Sequence, residues 1–333
     1  MRTISLLSVT IMLILSAACG NNSTSDQKEG TLKIYTTMYP LEYFTERIGG
    51  KHVEVSSIIP PGADAHTYEP STKKMVEMTE GDAFVYNKLQ SDEFSSSVAD
   101  TLKEEDMPII DGAKGISYHE SAEHEGEEHA HEEEHAHEEE EHAHEEENHA
   151  HEEEGHHDHG SLDPHIWLDP VLAQQIADNI YNGLVKLNPD AKAEFKKNHK
   201  ALGADLEKLD STFKTKVEEA PKNSFIVSHA AYGYWAERYG LEQIAISGLS
   251  PSHEPSQHQI EEIIENAKKE KTSYILYEEN VNNKVAAMIK KEVGAETLTL
   301  HNLETLTKDD IKKERDYLSI MNQNIDTLSK ALQ

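Results

Sequence analysis

Residues 224–247 read SFIVSHAAYGYWAERYGLEQIAIS, and the change of period inside them decides the fold class. "SFIVSH" is a short apolar run of strand type. "AAYGYWAERYG" spaces its large side chains as a helix does and ends on Gly240, and "EQIAIS" returns to strand. Strand, helix and strand in so short a span make a βα rhythm, whose strands run parallel. The rhythm continues downstream through "SQHQIEEIIENAKKE", "SYILYE", "NKVAAMIKKEVG" and "ETLTL" to a final helix ending at Gln333. Upstream, "TLKIYTT", "LEYFTERIGG", "VEVSSIIP", "STKKMVEMTE" and "DAFVYN" repeat it. The expectation is an α/β protein of two lobes with parallel sheets.

Between the lobes the pattern changes. Phe195, Leu202, Leu206, Leu209, Phe213 and Val217 fall on one face of a helix spanning 189–219. Asn188 is placed to cap it, Pro189 suits its first turn, and Pro221 stops it. At 1.5 Å per residue such a helix runs for more than about 40 Å. It would brace the lobes rigidly. The expected divisions are 31–188 for the first lobe, 189–220 for the linking helix and 221–333 for the second lobe.

The first lobe is interrupted by a low-complexity tract. Residues 119–159 contain no Lys or Arg, but hold 19 of the 63 acidic residues and 13 of the 21 His. Removing them takes the net charge from -32 to about -13, that of an ordinary acidic protein. No basic stripe is present, which argues against nucleic acid as a partner. The repeat "HAHEEE" cannot bury an apolar surface and repels itself, so the tract is expected to be a disordered surface loop.

The N-terminus reads as an export signal: Met1-Arg2, then the apolar "ISLLSVTIMLILSA". Leu15 to Cys19 resembles a bacterial lipobox, so residues 1–18 are expected to be removed and Cys19 to carry lipid. Residues 19–30 then form a polar tether, placing a soluble body on the extracytoplasmic face of the cell membrane. Cys19 is the single cysteine, which excludes an intramolecular disulfide.

Eight His lie outside the tract. His52, His199, His253 and His258 read as solvated, the last two flanking the capping box Ser256 and Gln259. The others are better placed. His66 lies in the loop "PPGADAHTYEP", His165 precedes a helix opened by Asp169 and Pro170, and His229 ends a strand, where ligand sites of α/β folds collect. Three His at loop mouths in both lobes point to a shared metal.

"GADAHTYEPS", "DPHIWLDP", "SHAAYGYWAERYGL" followed by "ISGLSPSHEPS", and "EENVNNKVA" resemble, in that order, the zinc-specific substrate-binding lipoproteins of bacterial metal ABC importers. The resemblance covers residues 31–333. It implies lobes joined by a rigid helix, metal in the interlobe cleft, and a His-rich acidic loop in the first lobe. It further implies His66, His165 and His229 as ligands, with Glu304 as the fourth where the family usually reads Pro-Leu-Glu. Here the stretch is "LHNLETL"; His301 and Asn302 depart from the pattern, and His301 is a possible rival ligand. Glu278 is a second rival, or a group standing behind the ligands.

Three imidazoles and one carboxylate suit the tetrahedral preference of Zn(II), the expected transported ligand, whereas manganese favours more oxygen. The expected partners are a membrane permease and its cytoplasmic ATPase, with the protein itself monomeric. Manganese or iron carriage and a surface adhesin role are the alternatives. An enzyme is not expected: no HExxH helix or phosphate loop is present, and a fourth protein ligand leaves no site for an activated water. His129, His131, His135, His137, His142, His144, His149, His151, His156, His157 and His159 are expected to collect zinc weakly, because a disordered chain loses entropy on binding.

Overall fold

The computed structural model describes residues 30–89, 93–119, 162–251, 255–278 and 284–333. The expectations for the export signal, for Cys19 and for the His-rich tract from residue 120 onward lie outside the described residues.

The chain folds as α/β, in two lobes each built on a four-stranded parallel sheet. The first contains β1 (Leu32–Thr36), β2 (Val53–Ser57), β3 (Ala83–Tyr86) and β4 (Ile109–Asp111), in the order β2-β1-β3-β4. The second contains β5 (Ser224–His229), β6 (Glu242–Ser247), β7 (Tyr274–Tyr277) and β8 (Glu296–Thr299), in the order β6-β5-β7-β8. The two orders are the same pattern, so the lobes repeat one topology. The central strands β3 and β5 are buried along nearly all their length, as parallel strands covered on both faces must be.

Helices α1 (Tyr39–Gly49), α2 (Thr72–Met78), α3 (Glu93–Glu104) and α4 (Pro170–Leu187) belong to the first lobe. The linking helix α5 (Lys192–Glu218) is followed by α6 (Gly233–Tyr239), α7 (Gln257–Lys269), α8 (Lys284–Val293), α9 (Lys308–Lys312) and α10 (Tyr317–Ala331). Phe195, Leu202, Leu206, Leu209 and Phe213 all face inward from α5, with Val217 packed at the margin. That helix starts three residues later than its spacing suggests. Pro189–Ala191 form a 3-10 turn, and the Asn188 side chain accepts from the Ala191 N–H at 3.3 Å. The helix therefore runs for roughly 40 Å.

One continuous apolar core follows α5 from Ile34 and Phe44 in the first lobe to Leu276 and Leu328 in the second. Tyr317, at the start of α10, stacks on Tyr43 of α1 with ring centroids 5.6 Å apart and meets Phe44 edge-on at 4.9 Å. The expected final helix is α10, and the short α9 stands before it as a separate element. Thr307 with Asp310 and Asp316 with Ser319 form separate capping boxes, and Glu314 between them takes a positive φ of 53°. Each box satisfies the N–H groups of its own helix start, so the chain breaks there.

Candidate metal site

Four loop or strand ends converge where the lobes meet. His229 is the last residue of β5. His165 precedes the 3-10 turn Ile166–Leu168, whose next residue, Asp169, caps α4 by accepting from the N–H groups of Val171 and Leu172. His66 lies in the loop between β2 and α2, and Glu304 in the loop after β8. His165 and His229 are fully buried and Glu304 nearly so, whereas the His66 side chain keeps 18% of its surface exposed. Their donor atoms all lie within 4.8 Å of one another.

The separations carry chemical information. Nε2 of His165 lies 3.4 Å from Nε2 of His229 and 3.5 Å from Glu304 Oε1. A tetrahedron with arms of about 2.1 Å has edges of roughly 3.4 Å. His66 Nε2 is closer, 2.9 Å from Glu304 Oε1. The three imidazole rings surround one point, with centroid separations of 5.9, 5.8 and 5.2 Å.

Carboxylates behind the rings fix which nitrogen faces that point. Asp163 Oδ1 accepts from the His165 backbone N–H at 2.9 Å and lies 2.8 Å from its Nδ1. Glu278 Oε1 is 2.5 Å from His229 Nδ1. With a carboxylate beside Nδ1 in each case, bonded to the ring in His165 and in close contact with it in His229, Nε2 is the nitrogen turned toward that point. Burial would lower the pKa of both His66 and His165. The carboxylates outweigh it: Glu304 raises His66, and Asp163 together with Glu304 raises His165 to about 10. Burial alone would raise Glu304, but His66 and His165 hold it well below the usual carboxylate range. The site is a buried region of negative potential that favours positive charge.

The Glu304 loop is held from several sides. The Tyr39 N–H donates to the Glu304 carbonyl at 3.1 Å, the Trp167 indole donates to the Asn302 carbonyl at 2.8 Å, and the Thr305 hydroxyl donates to the Ala63 carbonyl at 3.2 Å. Each of these bonds crosses from the second lobe to the first, where Trp167 and Ala63 lie close in sequence to His165 and His66.

The two rivals are differently placed. The Leu303 N–H donates to His301 Nδ1 at 2.9 Å, and Nε2 of the same ring lies 3.1 Å from Asp310. Both His301 nitrogens are thus engaged in holding the loop. Glu278 stands behind His229, on the far side of the ring from the inward Nε2. Away from the cleft, His52 pairs with Glu194 at 2.9 Å, His199 with Asp178 at 2.7 Å, and His258 lies exposed beside Glu262. His253 is outside the described residues. Sequence reasoning missed Asp163, although an Asp two residues before a candidate ligand is a local signal, since Asp side chains bond the backbone two residues on.

The family described as "Zinc-uptake complex component A periplasmic" matches residues 34–331. The chain is 36% identical over 327 residues to the high-affinity zinc uptake system protein ZnuA of Bacillus subtilis (strain 168), covering 97% of this chain and 96% of that protein. It is 35% identical over 336 residues to the zinc-binding lipoprotein AdcA of Streptococcus pneumoniae (strain ATCC BAA-255 / R6), of whose length it spans 61%. The crystal structure of the Zn(II)-bound ZnuA-like domain of Streptococcus pneumoniae AdcA superposes with a TM-score of 0.70 at 32% identity, covering 91% of this chain and 99% of that one. With nearly all of its length matched in both comparisons, the chain belongs to the family of zinc-uptake complex component A.

Proposed function

We propose that this protein captures Zn(II) outside the cytoplasm and delivers it to the permease of an ABC importer driven by a cytoplasmic ATPase. The observation that carries this reading is the meeting of His66, His165, His229 and Glu304 within 4.8 Å, between the lobes. Nε2 of each His and one Glu304 oxygen would supply the four donors of the tetrahedral set that zinc prefers. Because four protein donors complete that set, no position is left for an activated water, and the site serves carriage instead of hydrolysis. Lipid on Cys19 would hold the protein at the membrane beside the permease. The His of the tract would bind further zinc more weakly, since they must be ordered to do so.

Chelator-competition titration of the full chain tests the reading. One tight equivalent of zinc is expected, lost in His165→Ala and in His229→Ala, while weaker equivalents persist. Tight binding that survives both substitutions would remove the cleft as the carrier site.

A further inference from the structure

Asn302 supplies none of the four donors, yet its side chain bonds the Glu278 carboxylate and the backbone N–H of Glu304, the donor residue of the second lobe's loop. Its Oδ1 accepts from the Glu304 N–H at 3.2 Å, and its Nδ2 donates to Glu278 Oε2 at 3.2 Å. The orientation of the amide is forced, because a backbone N–H only donates and a carboxylate only accepts. The loop backbone is secured by other means. Asn324 Oδ1 accepts from the His301 N–H at 2.9 Å and its Nδ2 donates to the His301 carbonyl at 2.7 Å. Leu303, at a positive φ of 65°, donates its N–H to His301 Nδ1. The Trp167 indole takes the Asn302 carbonyl, not its side chain. What the side chain adds is a link between the residues that carry two carboxylates.

That link has a chemical consequence. Glu278 has one oxygen in close contact with His229 Nδ1, at 2.5 Å, and the other bonded by Asn302, so turning either toward the cleft would give up a contact. Glu304, anchored through its own N–H, presents Oε1 to His66 and His165. We propose that Asn302 is a positioning residue that sets the coordination of the transported ion, committing Glu278 to His229 and Glu304 to the metal. The donor set is thereby kept at three nitrogens and one oxygen, which suits zinc and disfavours manganese. This inference rests on the reading of the cleft as the carrier site.

The test uses the full chain with Asn302→Ala, Asn302→Asp and the exchange Asn302→Asp with Glu278→Gln. Zn(II) and Mn(II) affinities are measured by competition, and Co(II) serves as a spectroscopic probe. Asn302→Ala is expected to weaken zinc by about 10–100-fold, the usual effect of losing a group behind the ligands. Its zinc-to-manganese ratio falls, and its Co(II) visible bands weaken as the ion gains oxygen ligands and loses tetrahedral symmetry.

Asn302→Asp keeps the acceptor for the Glu304 N–H but sets one carboxylate against another, so it loses at least as much. In the exchange, the amide introduced at position 278 donates to the carboxylate introduced at position 302 and still accepts from His229, with the total charge unchanged. Most of the zinc affinity and the Co(II) spectrum should return. Wild-type spectra and metal ratios in Asn302→Ala and Asn302→Asp would overturn the proposal, as would an exchange that recovers nothing. If instead the unsubstituted chain and His165→Ala bind zinc alike, it is the carrier site that fails. Metal-free unfolding midpoints, expected to be similar in all variants, separate positioning from a general loss of fold.

Discussion

Asp163 shows how much of the site is set by residues that supply no metal donor. It is buried, and its Oδ1 holds both the backbone and the ring of His165. Gly233 allows the approach of the second lobe: a Cβ there would come within 2.8 Å of Asp163 Oδ2. Asp163→Ala should weaken zinc binding by about 10–100-fold, and Asp163→Asn, which keeps an acceptor, by less. Gly233→Ala should weaken it too, by displacing Asp163. Competition titrations check all three, and unchanged affinity in Asp163→Ala would mean that His165 needs no orienting partner. The His were legible because each lies in a Pro- and Gly-fixed loop, ends a strand or precedes a capped helix, positions that sequence marks. Glu304 was legible only through the family resemblance. Asn302 showed in the sequence only as a departure, because its hydrogen bond to Glu278 spans 24 residues and appears in no local pattern.

Among elements, the βα alternation and α5 were readable, since short apolar strand runs and period-3.6 helix patterns are intrinsic to the chain. The start of α5 and the break before α10 were not, because side-chain caps compete there with helix continuation. Helix α3 was passed over: "SDEFSSSVADTLKEE" is rich in Ser, which favours caps over helix interiors. The packing of α5 yields a stability prediction. Phe213 is fully buried, stacks on Tyr239 at 4.0 Å and meets Trp235 edge-on at 4.9 Å. Phe213→Ala should cost about 3–5 kcal/mol in denaturant unfolding. The residues flanking the tract also meet. The Asp163 N–H donates to the His119 carbonyl at 2.9 Å, the Tyr234 hydroxyl donates to the Asp163 carbonyl at 2.8 Å, and the His119 ring packs on Tyr234. A short linker replacing 121–160 should therefore leave the unfolding midpoint and the tight zinc equivalent unchanged while removing the weak ones. Loss of the tight equivalent would show that the tract takes part in the site.

For the molecule as a whole, the cleft charges oppose fold stability to metal affinity along the pH axis. His66 and His165 have folded pKa values above their ordinary 6.5, that of His165 at about 10. Their contribution to metal-free stability is fully present below about pH 6.5 and is lost as pH rises toward the folded values. Glu304 is depressed, so its contribution is present above about pH 4.3 and disappears only as pH falls through its low folded value. Around neutral pH the metal-free protein thus holds protons on rings that zinc must occupy, and binding releases them. Zinc affinity should fall by about tenfold per pH unit for each proton displaced as pH drops from about 9 to about 6. The stabilisation added by zinc, RT ln(1 + [L]/Kd), shrinks over the same interval. Urea midpoints at about pH 6 and about pH 9, with and without buffered zinc, should therefore show a small gap at the lower pH and a wide one at the higher. The site would gain from the metal-free charge arrangement at low pH and from zinc at high pH, so acidification favours release without requiring the lobes to separate. Equal gaps at the two pH values would mean that no ring proton is displaced by the metal.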